Sequence, residues 1–245
     1  MTNRACGYAK SIKFLIDLRV GDSIFLYVDP AEIKFYNLEP QRMYKNYWLQ
    51  EKNFFQSLTS SFHDRDFFLK RLYLIPGQWD KTETLFRDYP TYQYMKELFD
   101  NNFDYLKTRR YRELIDKIET GGVIEHKHFT MRSKDDVIED YFKRYIEIFK
   151  SMEEKGYIPN KNNPGLVAIG RNGELIKTSR GRHRLSIAQL LGIKSVMVKV
   201  EFIHPEWMMK HYQDDQLSIK VLQNALKDIQ SQHRHYSSGI LSFQG

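Results

Sequence analysis

Ser179-Arg180-Gly181-Arg182-His183-Arg184-Leu185 joins a predicted strand, Glu174 to Lys177, to a predicted helix, Arg182 to Leu191. With Lys177, this stretch packs four Lys/Arg and one histidine into eight residues at the start of the helix. A helix N-terminus already carries free N–H groups and positive partial charge, so cations there repel it and one another. Such an arrangement suits a bound anion, phosphate first. Before it, Leu166 to Ile169 reads as a strand and Asn172-Gly173 as a hairpin turn. Further back, Ser133-x-x-Asp136 opens a helix as a variant of the capping box. Val137, Tyr141, Phe142, Tyr145, Ile148 and Phe149 follow at helical spacing, and Lys155-Gly156 ends that helix. After the basic stretch, Ile187, Leu190 and Leu191 carry a helix to Gly192. Ser195 to Phe202 then reads as a buried strand with Val196, Val198 and Val200 on one face. The order predicts an α/β (α+β) class with a mixed sheet.

The rest of the chain divides around this core, read as residues 133–207. Residues 1–38 supply a strand, Ile24 to Val28, and a short helical turn with Asp29 as cap and Pro30 in its first turn. Residues 39–132 are crowded with aromatics among lysines and arginines: Tyr44, Tyr47, Trp48, Phe54, Phe55, Phe62, Phe67, Phe68 and Tyr73. Helical patterning at Pro90 to Phe99 and Thr108 to Ile118, broken by Gly121-Gly122, predicts a mostly helical insertion. Residues 208–245 hold one more predicted helix, about Asp215 to Gln230, and a polar end expected to be loosely held from Ser237 onward.

The chain has 245 residues, a net charge of +7 and a pI near 9.2, which favours anionic partners. Cys6 is the only cysteine, so neither an intrachain disulfide nor a multi-cysteine metal site is available. Charged residues interrupt every apolar run at the N-terminus, and no stretch approaches the length of a membrane span. A cytoplasmic location is the expectation.

Gly181, His183, Arg184 and Leu185, with Ala188, Leu191 and Gly192 in the following helix, resemble the phosphate-binding element of the ParB/sulfiredoxin-like superfamily. The Val28-Asp29-Pro30-x-x-Ile33 segment is similar to that family's opening strand and turn. The resemblance covers about seventy residues before the tail plus that N-terminal piece; residues 39–132 are not shared. It implies a ParB/sulfiredoxin-like core that binds a nucleoside triphosphate, ATP or CTP, with Mg²⁺. Gly181, Arg182, His183 and Arg184 would hold the phosphates, with Arg182 at the rim. The chain departs from the family at three points. Arg182 stands where sulfiredoxins place their cysteine, Arg180 stands where kinase-like members place an acid, and no helix-turn-helix reader follows.

Two functions from different classes follow. One is phosphoryl transfer to a small acceptor. The other is a nucleotide- or nucleic-acid-binding regulatory module without turnover. Transfer needs a carboxylate for Mg²⁺ or for the attacking hydroxyl. Glu32 and Asp80 are the catalytic candidates, with Asp29 and Glu174 as further acids and His183 as a proton carrier or phosphate donor. Asp80-x-x-Glu83 also reads as a helix cap with its partner, the preferred reading. His183 has the alternative of a packed core histidine, Gly181 that of a plain tight turn, and Arg184 that of a salt bridge. Trp79 reads as packed. His126-x-His128 and His233-x-His235 read as surface pairs lacking a third metal ligand, so the metal ligands stay unknown.

Overall fold

A computed structural model describes residues 13–50, 65–212 and 217–238. These contain a mixed five-stranded sheet with helices, an α/β fold. Cys6, Phe54, Phe55, Phe62, Asp215 and the end of the tail lie outside the described residues. The described chain forms two units, one from 1–86, 160–181 and 194–245, the other from 87–159 and 182–193. These divisions fall elsewhere than 38/39, 132/133 and 207/208. The chain passes from the first unit to the second within the basic stretch, at the Gly181–Arg182 bond.

The first unit carries the sheet, in the order β1 (Phe25–Val28), β7 (Val196–Ile203), β5 (Gly165–Ile169), β6 (Leu175–Lys177) and β2 (Phe35–Tyr36). β1 runs antiparallel to β7, β7 parallel to β5, β5 antiparallel to β6 and β6 parallel to β2. β1, β5, β6 and β7 are the strands legible from β-branched runs. β2 is two residues long and gives no periodic signal. Asn172-Gly173 does close the β5–β6 hairpin, with Gly173 at φ 92°. Its N–H donates to Gly170 O at 3.0 Å, and only glycine takes that conformation without strain. Ile75, Trp79, Ala168, Ile176 and Phe202 form a buried cluster on the sheet, with Tyr44 packed on Phe202. Among its described residues the helices are α1 (13–20), α2 (Glu39–Gln50), α3 (Arg65–Tyr73), α8 (Pro205–Met209) and α9 (Ile219–Ser238). Pro30–Glu32 forms the expected short turn, a 3₁₀ helix with Asp29 accepting from Ala31 N at 2.8 Å.

The second unit holds α4 (Pro90–Asp100), α5 (Arg109–Glu119), α6 and α7 (Arg182–Leu190). α6 runs from Lys134–Val137 through a π-helical stretch, Ile138–Lys143, into Arg144–Lys155. Ser133 and Asp136 make both bonds of its capping box. Its buried face, Tyr141, Phe142, Tyr145, Phe149 and Met152, packs in an aromatic cluster. Phe99 stacks on Phe149 at 5.7 Å and Tyr105 on Phe142 at 5.2 Å. Of the aromatics noted in the helical region, Tyr73 is buried and Tyr44 packs on Phe202, while the side chains of Tyr47, Trp48, Phe67 and Phe68 lie outside those described. That region also contains a hairpin, β3 (Ile124–His126) with β4 (Phe129–Met131), which the helical expectation lacked. No glycine or asparagine marks its turn; Lys127 itself takes φ 57°.

The cap expected at Asp80 is not there. No helix follows it, and the turn Gln78–Lys81 leads into extended chain. Asp80, 1% exposed at its side chain, instead accepts from Arg171 Nε at 2.6 Å and Nη2 at 2.8 Å. Arg171 N adds a third bond to the same carboxylate at 3.0 Å. His204 caps α8 by accepting from Glu206 N through Nδ1, so its Nε2 carries the proton and donates to Gly77 O at 3.0 Å. Trp79 is buried, as expected, and donates from Nε1 to Ile75 O at 2.7 Å.

Candidate anion site

The first unit consumes the leading half of the basic stretch. Lys177 is fully buried, and its ammonium donates to Leu166 O at 2.6 Å, Arg180 O at 2.6 Å and Thr178 O at 3.3 Å. It holds the turn from inside and does not face a ligand. Gly181 sits at φ 87°, and a Cβ there would lie 2.6 Å from Gly165 Cα. Close packing against β5 therefore demands glycine, with or without a phosphate. Thr178 Oγ1 donates to Glu201 at 2.9 Å, while Gln41 Nε2 donates to Ser179 Oγ at 2.6 Å and to Glu201 at 3.0 Å. Glu201 is an acid beside this turn that the sequence reading did not single out.

The second unit gathers the trailing half with the β3–β4 turn. His183 stacks on Tyr145, ring centroids 4.4 Å apart and nearly parallel, and meets His126 edge-on at 5.7 Å. His126 Nε2 bonds to Tyr145 OH at 2.8 Å. Arg182 bonds the Tyr89 hydroxyl at 2.5 Å and lies over its ring. Lys127 keeps part of its surface exposed on the turn, but its ammonium lies 5.0 Å from the centre of the Tyr145 ring. Burial, together with the charges of Arg144, Arg184 and Arg182, lowers its pKa from 10.5 to about 8. Burial, aided by Lys127, His126, Arg182 and Arg110, takes His183 down to about 2. Burial with Lys127, Arg110 and Arg144 takes His126 to about 4. At neutral pH both rings are uncharged and the positive charge belongs to the lysine and arginines. His126 is half-buried, edge-on to Tyr141 and Tyr145, while His128 is exposed, as expected of a surface pair.

The acids have settled partners. Burial alone would raise Asp80, but the bonds from Arg171 and the proximity of His204 hold its pKa down to about 2. Glu32 pairs with His233 on α9. Glu174 accepts from Asn172 N at 3.0 Å inside the hairpin loop, and Asp29 is the cap already described. Among the described residues, no group of three or more His, Cys, Asp or Glu is placed to hold a metal ion. His235 lies outside the described side chains. No helix among the described residues is long and apolar enough to cross a membrane.

Of the residues singled out from sequence, Arg182, His183 and Arg184 therefore come together at the start of α7. Glu32, Asp80 and Gly181 belong to the other unit. The reading missed Lys127, Arg144 and Tyr145. A lysine between two histidines, His126-Lys127-His128, was the only local sign of the first. Compared with protein-family models, with curated proteins and with solved structures, the chain matches none.

Proposed function

We propose that the start of α7, which resembles the ParB/sulfiredoxin phosphate-binding element, and the β3–β4 turn, which that resemblance does not cover, together bind the phosphates of a nucleotide. The carrying observation is that Lys127 and the start of α7 meet at one ring: the Lys127 ammonium lies 5.0 Å from the centre of Tyr145, and His183, between Arg182 and Arg184, stacks on the same ring at 4.4 Å. Cations brought this close are favourable once an anion joins them. A helix start adds N–H groups and partial positive charge. The set suits a polyphosphate: planar guanidinium forks beside one point-charge ammonium.

The test is titration calorimetry with ATP, CTP, GTP and ADP plus Mg²⁺. Saturable binding is expected, weakened about tenfold or more in Arg184→Ala and in Lys127→Met, because a charge-assisted bond contributes roughly 1.5–3 kcal/mol. A folded wild-type protein that binds none of them would overturn the reading.

The same site predicts a pH dependence. In the free protein the Lys127 pKa is about 8 against an ordinary 10.5, so between those values the unfolded chain holds more protons. Stability from this group therefore rises with pH across that window. A bound anion raises the lysine again, so binding takes up a proton there. Affinity should be lower at pH 9.5 than at pH 7, and Lys127→Met should flatten the difference. An unchanged slope in the variant would place the titration elsewhere.

Binding without turnover is the reading the acids favour over phosphoryl transfer. Asp80 has its oxygens taken by Arg171, and Glu32 is paired with His233. Nucleotide consumption with a small acceptor would reverse that preference. Steep loss of DNA binding with added salt would mark a nucleic-acid partner instead.

A further inference from the structure

A cavity of about 310 Å³ opens in the second unit between the end of α6 and α7. Its walls are Ile148, Met152, Tyr157 and Ile158, with Ser151 on the α6 side. Two charged side chains reach it, Arg184 and Glu147. Ile158 leaves 62% of its surface exposed there. The volume sits at the lower end of the roughly 300–1,000 Å³ typical of small-molecule sites, which are mostly apolar with a few placed polar groups.

Arg184 joins this cavity to the cation cluster: it lines the cavity from the first turn of α7, next to His183, whose ring shares the Tyr145 ring with Lys127. Resting on the phosphate reading above, we propose that the cavity receives a flat apolar body esterified to that phosphate: an aryl phosphoester or a nucleobase-bearing one. Arg184 grips the phosphate at the mouth. The body covers Ile158 and lies against Ile148, Met152 and Tyr157. Glu147 accepts from a ring amine or N–H, which a nucleobase has and a plain aryl group lacks. The cavity thus discriminates against bare phosphate and against sugar phosphates, which bring no apolar surface to bury.

The test uses calorimetry with inorganic phosphate, ribose 5-phosphate, 1-naphthyl phosphate and AMP. Naphthyl phosphate and AMP should bind at least about tenfold tighter than inorganic phosphate, as burial of a ring implies. Ser151→Trp, which fills the cavity, and Ile158→Ser, which strips one wall from a solvent-exposed position, should each remove that gain and leave phosphate binding unchanged. Circular dichroism would confirm that both variants fold. An added advantage of AMP that disappears in Glu147→Gln assigns the body to a nucleobase; equal gains assign it to an aryl group. The inference is overturned if the ring compounds bind no tighter than phosphate, or if the gain survives in Ser151→Trp. Failure of inorganic phosphate and AMP alike to bind overturns the phosphate reading, and the cavity's assignment with it.

Discussion

Asp80→Ala is expected to destabilise the protein by about 3 kcal/mol in chemical denaturation. The carboxylate is 1% exposed and Arg171 is 16% exposed at the side chain. Removing one partner of a buried pair costs ~3–5 kcal/mol when the other charge is left desolvated and uncompensated; the lower end applies here because the arginine keeps access to water and its pairing with Glu206. The Arg171 side chain and N–H would lose their three bonds to Asp80, while the guanidinium keeps those to Gly77 O and the Gln78 and Glu206 side chains. A double variant, Asp80→Leu with Arg171→Met, should recover much of the loss, since it removes the stranded charge as well. A single-variant cost under about 1 kcal/mol would show that the pair is dispensable. The pair also sets an acid limit. Its folded pKa is about 2 against an ordinary 3.8, so its contribution is complete above pH 4 and is lost as pH falls through 2. Asp80→Asn should flatten that part of the acid unfolding curve.

Gly181→Ala carries the second large effect, about 3 kcal/mol or more. The left-handed backbone at φ 87° costs a Cβ-bearing residue roughly 1–2 kcal/mol. The new methyl would also sit 2.6 Å from Gly165 Cα, backbone that cannot swing aside. Overpacking adds roughly 1–3 kcal/mol. Gly21→Ala isolates the first part, because Gly21 has φ 65° with nothing within 4 Å of a Cβ. Equal costs at the two positions would show that β5 yields. Backbone conformation and packing already require glycine at 181, so reduced nucleotide binding in Gly181→Ala would not by itself identify a ligand contact.

What the sequence disclosed was local. The β5–β6 hairpin follows from Asn172-Gly173, the start of α6 from Ser133 and Asp136, and the body of α7 from the spacing of Ile187, Leu190 and Leu191. Each signal lies within a few residues of what it specifies. The pairings that decide the chemistry do not. Asp80 meets Arg171 across 91 residues, and Glu32 meets His233 across 201. An acid's neighbours in sequence cannot report such a partner, so the cap motif at Asp80 was the stronger local signal and the wrong one. Lys177 shows the same limit from another side. Charge counting placed it with the ligand cations, whereas three backbone carbonyls hold it inside the turn. Lys127 escaped notice because its turn is made by a positive φ at the lysine itself, without glycine or asparagine.

The discontinuity of both units has a practical result for dissecting the protein. Unit boundaries fall at 86/87, 159/160, 181/182 and 193/194, so no single cut yields either unit whole. A fragment spanning 87–159 would carry Tyr145, His126 and Lys127 but lose α7, leaving the Tyr145 face without the His183 ring that stacks on it. Separating the units intact would require rejoining the chain in a new order, with α7 spliced after residue 159 and 160–181 linked directly to 194. Ordinary truncation would instead sever the basic stretch from half of its own surroundings, and loss of binding in such a fragment would report the severed fold.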